Sequence, residues 1–142
     1  MKSIKELDVK GKKVFVRVDY NVPVDDQLNI TDDNRIAATL DLIRYLMDQG
    51  AKIILASHMG RPKGEPDPKF SLKKVSLRLS QLIDAPVAFG PDCIGDAVTQ
   101  MVDQLEPSRV LMLENLRFHA QEKSNDDEFS QQLAALCDIY VN

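Results

Sequence analysis

At 142 residues the chain is long enough for one domain with a sizeable core and short for two. Hydrophobic residues make up 44% and charged residues 28%, the balance of a soluble globular protein rather than a disordered one. The formal net charge of -4 excludes a global basic field of the kind that holds nucleic acid or an anionic membrane, so an anion site must be built locally.

The start, MKSIKELDVKGKK, alternates charged and apolar residues and lacks the apolar core of a signal peptide. No run approaches the roughly 20 apolar residues of a membrane span, and a cytoplasmic location is expected. Lys13 to Val18 (KVFVRV) reads as a first strand, broken by Asp19 to Pro23. Val24 to Thr31 is a short excursion with a turn around Asp25 and Asp26. Thr31, Asp32 and Asp33 offer cap oxygens to a helix in which Ile36, Leu40, Ile43 and Met47 recur at helical spacing, with Gly50 as its stop.

Ile53 to Ala56 is four apolar residues without interruption, as in a strand buried on both faces, and it empties into His58, Gly60 and Arg61. After a proline-rich loop, Ser71 can cap a helix facing inward with Leu72, Val75, Leu79 and Leu82. Pro86 to Phe89 is a third strand. A helix opening near Asp92, with Ile94, Val98, Met101 and Leu105 inward, ends before Pro107. Arg109 to Leu113 is a fourth strand, and Asn125 or Asp126 caps a last helix carrying Phe129, Leu133 and Leu136. Asp138 to Val141 begins a fifth strand.

Five strands alternating with helices predict an α/β fold: a doubly wound parallel sheet, Rossmann-like in three αβα layers, with strand order 3-2-1-4-5 and its reversal between strands 1 and 4. A chain ending on a strand leaves a bare edge, which favours self-association and suggests a piece cut from something longer.

In such sheets ligands bind at the carboxyl ends of the strands. Three of those ends carry unusual polar content: Asp19 and Asn21, then His58 and Arg61, then Glu114, Asn115 and Arg117, with Arg35 within reach. Arginine forks match carboxylate and phosphate oxygens in pairs. Three or four charge-assisted bonds at about 1.5–3 kcal/mol each before ordering costs suffice for micromolar to millimolar binding of a small phosphorylated hydroxy acid.

Plainer readings stand beside this one. An ordinary strand-to-helix loop can carry a solvated arginine. Asp19 and Asn21 serve equally as turn formers, and Arg35 as a surface partner of Asp32 or Asp33. His119 reads as structural or exposed, and Lys63, Lys69, Lys73 and Lys74 as a solvated basic patch. Gly90 to Gly95 has the glycine spacing of a phosphate loop but Asp96 and Ala97 where Lys and Ser or Thr are needed, and no GxGxxG follows the first strand. Two distant histidines make no zinc motif. Cys93 and Cys137 form no metal or redox motif and read as buried, reduced thiols.

RVDYNVP (17–23), TDDNRI (31–36), GAKIILASHMGRPKG (50–64) and LENLRFH (113–119), in this order and spacing, resemble the amino-terminal domain of the phosphoglycerate kinase family. CDIYVN at the close resembles the segment just before that family's next block, so the likeness runs over essentially the whole chain. It implies that residues 1–142 are a phosphoglycerate-binding domain, incomplete at its carboxyl end, of a two-domain glycolytic enzyme. That enzyme moves a phosphoryl group between 1,3-bisphosphoglycerate and ADP.

By the same resemblance Asp19 and Asn21 bind the glycerate, His58 and Arg61 lie in the substrate's basic patch, and Arg117 binds its phosphate. Tyr20, Met59 and Gly60 fall among the substrate-binding residues, and Arg35 matches the catalytic arginine of the transferring phosphoryl group. ATP or ADP with Mg2+ would belong to a nucleotide domain absent from this sequence, so no cofactor or metal is expected here and the chain alone should be inactive. The intact enzyme is implied to be a monomer. Tyr20, Met59 and Ala120 depart mildly from the family's commoner phenylalanine, leucine and proline. A stand-alone phospho-acid binding module is the alternative.

Overall fold

The computed structural model describes residues 7–61, 67–119 and 127–141. Strands β1 (Lys13–Arg17), β2 (Lys52–Ala56), β3 (Val87–Phe89), β4 (Val110–Met112) and β5 (Ile139–Val141) alternate with helices α1 (Asn34–Ala37), α2 (Leu40–Asp48), α3 (Lys73–Ile83), α4 (Asp96–Asp103) and α5 (Asp127–Ala134). The strands form one five-stranded sheet, parallel throughout, with Val14 beside Ile53 and Ile139, and Ile53 beside Val110. The expected α/β class is therefore present.

The strand order is not the expected one: it runs β3-β4-β2-β1-β5 rather than 3-2-1-4-5. Burial gives the reason. Val110, Leu111 and Met112 are all buried, which suits an interior strand, whereas β3, of the same length, is partly exposed and sits at an edge. The chain steps outward from β1 through β2 to β3, then turns back to insert β4 between β3 and β2. That reversal divides the helices between the two sheet faces.

Ile36, Ile43, Leu46, Val75 and Leu79 from α1 to α3 pack with Val14, Val16, Ile53 and Leu55 on one face. Val98, Val102, Leu133 and Leu136, from α4 and the end of α5, pack with Phe15, Ile54 and Leu111 on the other. β2 is buried on both faces, its Ile53, Ile54, Leu55 and Ala56 wholly inaccessible, as its unbroken apolar run requires. β5 forms the other edge, where Tyr140 stacks on Phe15 at 5.2 Å between ring centroids.

Local departures follow from side-chain bonding. The helix expected from Asp33 to Met47 is split, because the Thr39 hydroxyl donates to the Ile36 carbonyl and accepts the buried Tyr20 hydroxyl at 2.6 Å. Gly50 closes α2 at φ 77°, with Ala51 N bonded to Leu46 O. Asp92 opens no helix: its carboxylate takes the Cys93 amide and His119, and α4 begins only at Asp96. The Asn125 or Asp126 cap, the Phe129 side chain, Lys63 and Ala120 lie outside the described residues. Cys93 is buried and Cys137 only half-buried, both as free thiols. Burial and the Asp92 carboxylate push the Cys93 thiol well above its usual range, so it is no nucleophile.

Candidate functional site

The corrected strand order keeps β4, β2 and β1 adjacent, with β2 in the middle, so the loops leaving their carboxyl ends still meet. Two backbone bonds carry the ladder into these loops: Leu113 N donates to Leu55 O, and Leu116 N to Ser57 O. Ser57 is buried and welds the first loop to the second, accepting Tyr20 N on its hydroxyl oxygen at 2.9 Å and donating to His58 O at 2.8 Å.

On that base a chain of contacts runs across the rim. Arg35 Nη1 donates to Asp19 Oδ1 at 3.2 Å and to the Asn21 carbonyl at 2.8 Å. The Asn21 side-chain carbonyl accepts Gly60 N at 2.9 Å, and Gly60 O faces Arg117 Nη1 at 3.4 Å. Arg35 and Arg117, 82 positions apart in sequence, thus flank one Asn21–Gly60 link. Gly60 has φ 61°, and a Cβ there would lie 2.3 Å from the Phe70 ring, so only glycine fits.

His58 stands within this field. Burial holds its imidazole below the usual range, helped by the Arg117, Arg17 and Arg35 charges and opposed by Asp19. The neutral imidazole is therefore favoured at neutral pH.

The other predicted site residues are placed less favourably. Tyr20 and Met59 are buried, at 0% and 5% exposure, with Tyr20 N on the Ser57 hydroxyl and Met59 N on the Asn115 side chain, so their side chains pack beneath the rim. Arg61 is exposed beside Gly60 and makes no bond to another described residue. Asp19 and Asn21 do form turn bonds, Asn21 N to Asp19 Oδ1 at 3.2 Å, while also holding Arg35.

Glu114 and Asn115, read from the sequence only as polar content at the end of the fourth strand, are the supports beneath the arginines. Asn115 is wholly buried and uses its entire amide: Oδ1 accepts Met59 N and Arg117 N, and Nδ2 donates to Met59 O and Phe70 O. It fixes the Leu116–Phe118 turn that carries Arg117. Glu114 accepts Leu72 N and Asn115 N on one oxygen and the Ser71 hydroxyl on the other, capping α3 from across the crevice. Arg17, the last residue of β1, was read only as strand, yet its charge reaches His58. A charged residue closing an apolar strand at its carboxyl end was the available signal.

The arrangement can bind a small polyanion through two guanidinium forks and a chargeable imidazole. It offers little to a divalent cation, because Asp19 is already held by Arg35 and Glu114 by three donors.

The phosphoglycerate kinase family model matches residues 4–142. Phosphoglycerate kinases of Desulforapulum autotrophicum and Geobacter metallireducens are 56% and 54% identical to the chain over 142 and 134 residues. These matches cover 100% and 94% of this chain but only 36% and 34% of those proteins. The crystal structure of phosphoglycerate kinase from Pyrococcus horikoshii OT3 superposes with a TM-score of 0.89 at 31% identity, over 100% of this chain and 36% of the other. That from Coxiella burnetii gives 0.82 at 31%, over 96% and 33%. The chain thus spans about a third of the length of the relatives it matches.

Proposed function

The chain belongs to the phosphoglycerate kinase family, and from that premise we propose that its rim is the acid-binding half of an ATP:3-phosphoglycerate phosphotransferase of glycolysis. The observation that carries this reading is the run Arg35–Asn21–Gly60–Arg117 across adjoining loops. Arg117, with Arg61 beside it, takes the phosphate of 3-phosphoglycerate or 1,3-bisphosphoglycerate. Asp19 and the Asn21 amide take the glycerate hydroxyl and carboxyl end, and His58 becomes protonated as the anion settles.

Arg35 is the catalytic residue in this reading. It is half exposed and its present partners are the Asp19 carboxylate and a backbone carbonyl, so it can leave them for the transferring phosphoryl oxygens. Phosphoryl transfer needs alignment and charge neutralisation more than covalent help, which is what a mobile guanidinium supplies.

At the rim the Asp19 and Glu114 carboxylates are already bonded, to Arg35 and to three donors, so in this reading Mg2+ and the nucleotide are assigned elsewhere. They belong to the part of the relatives that this chain does not span. In this reading the working enzyme is a cytoplasmic monomer acting on a small-molecule substrate. No described helix is long and apolar enough to cross a membrane.

Calorimetry with 3-phosphoglycerate tests the reading: saturable binding, weakened in Arg35→Ala and Arg117→Ala, is expected, and no heat even at millimolar ligand would sink it. These 142 residues are expected to show no ATP-dependent turnover in a coupled assay. A free-standing phospho-acid binding module is the alternative. Binding without activity, unchanged on adding the rest of a relative's sequence, would select it.

A further inference from the structure

Outside the rim just described, three different metal-ligand types meet. Asp92 and Cys93 follow β3, His119 follows the turn after β4, and these two strands are neighbours. A carboxylate oxygen, the thiol sulfur and an imidazole nitrogen all lie within 4.8 Å of one another. Among the described residues this is the one such group. His119 is distant in sequence from the adjacent Asp92 and Cys93, so the three make no motif, which is why no zinc site was expected of Cys93 or of the two histidines.

From this juxtaposition we propose that Asp92, Cys93 and His119 form a three-ligand site for a zinc-class divalent ion, independent of the phosphoglycerate crevice. The donor set selects the ion. Thiolate and imidazole suit Zn2+ or Co2+, whereas Mg2+ and Ca2+ take oxygen ligands throughout. Zinc holds sulfur at about 2.3 Å and nitrogen or oxygen at about 2.0–2.2 Å in a tetrahedron, which puts its ligand atoms about 3.3–3.8 Å apart.

The present group needs only small side-chain adjustments to reach that. The His119 Nε2 to Asp92 Oδ1 contact of 2.6 Å opens, and the sulfur, within 4.8 Å of both, closes in. Cys93 is wholly buried, while His119 and Asp92 side chains are 23% and 46% exposed. The ion therefore has an entry path on the solvent side, and a water completes the tetrahedron there. On coordination the thiol proton passes to solvent and the imidazole binds as its neutral form, so binding releases one proton from sulfur.

The Asp92 carboxylate bonded to His119 is also the geometry of a plain clasp between two loops, and the experiment separates the two. The chain is titrated with Co2+ and then with Zn2+ in chelator-free buffer. Expected is one equivalent of Co2+ giving a thiolate-to-cobalt charge-transfer band with the intense visible bands of a tetrahedral ion, both abolished by Zn2+. Cys93→Ser should lose the thiolate band and Cys137→Ser keep it. His119→Gln and Asp92→Asn should weaken binding by more than roughly 100-fold, since even outer-shell partners are worth roughly 10–100-fold.

Should Cys93→Ser not fold, His119→Gln alters only a partly exposed side chain and still reports. A thiolate band absent at one equivalent overturns the site and leaves the clasp. So does a band that vanishes in Cys137→Ser, or Zn2+ affinity unchanged in His119→Gln.

Discussion

The Asn21 side chain holds the Gly60 amide at 2.9 Å, joining the loop after β1 to the loop after β2 at the one point where Arg35 and Arg117 both come close. Gly60 has no room for change. Gly60→Ala places a methyl 2.3 Å from the Phe70 ring on a backbone at φ 61°. Strain of this kind and overpacking together cost about 2–4 kcal/mol. Thermal unfolding of Gly60→Ala should show that loss, along with weaker 3-phosphoglycerate binding; wild-type stability would show that the loop does not hold this conformation.

Arginine substitutions should separate binding from folding. Arg35 and Asp19 are 53% and 63% exposed, and an exposed pair is worth about 0–1 kcal/mol. Arg117 reaches Gly60 O only at 3.4 Å, a long and weak bond. Both alanine variants should therefore melt close to wild type while binding 3-phosphoglycerate roughly 10–150-fold more weakly, the worth of one charge-assisted bond. Arg117→Lys should recover part of the affinity and not all, since it keeps the charge and loses the fork. A large drop in melting temperature with unchanged affinity would reverse these assignments.

Asn115 should behave in the opposite way. Its amide serves four backbone groups beneath the rim, and Asn115→Ala leaves them without partners in a place closed to water. Each orphaned group costs about 1–3 kcal/mol, so a loss of about 3 kcal/mol or more is expected in chemical denaturation. Asn115→Asp keeps the acceptor for Met59 N and Arg117 N but turns a carboxylate oxygen toward two carbonyls, and should be no better. A near-neutral Asn115→Ala would mean that water replaces the amide.

These contrasts mark what was legible in the sequence. Ile53 to Ala56 could be read as a central strand because burial on both faces needs four apolar residues in a row. Which strand lies beside which is a lateral matter that local patterns carry poorly, and the full burial of β4 against the exposure of β3 was visible only as a slight difference in apolar length. The rim survived that error because β4, β2 and β1 remain contiguous in either arrangement's neighbourhood of loops. Asn115 was visible as a polar residue at a strand end, but its supporting role was not, for another reason. A polar residue after a strand looks like loop, and only the closure of Phe70 and Met59 over it makes it core. Thr39 was equally silent, since the apolar period runs on through the helix it splits.

Buried Tyr20 should set the alkaline limit of stability. Burial pushes its hydroxyl up to about 12 from 10.0, against a small opposing effect of its bond to Thr39. A raised acid pKa means that folding favours the neutral form, so this contribution is whole below pH 10 and is lost as pH rises toward 12. Tyr20→Phe should remove that alkaline dependence, at about 1 kcal/mol for the lost Thr39 bond. Spectrophotometric titration of the folded chain should find one tyrosine ionising late; normal ionisation of all three would contradict its burial.

His58 governs the acid side, and there the sign ties stability to ligand. Burial, with Arg117, Arg17 and Arg35, lowers its pKa from 6.5. The unfolded chain then binds the proton more readily than the folded one, so this contribution to stability is complete above pH 6.5 and fades as pH falls through the lowered folded value. A bound phosphate reverses the local field: it neutralises the guanidiniums and favours the imidazolium. Binding of 3-phosphoglycerate should accordingly take up a proton at His58 and strengthen as pH drops below 6.5, until the ligand's own phosphate protonates. Proton NMR of the His58 ring should show a midpoint below 6.5 in the free chain that moves upward on saturation, and His58→Gln should flatten the pH dependence of affinity. A midpoint that stays put with ligand bound would place the acid elsewhere than beside His58.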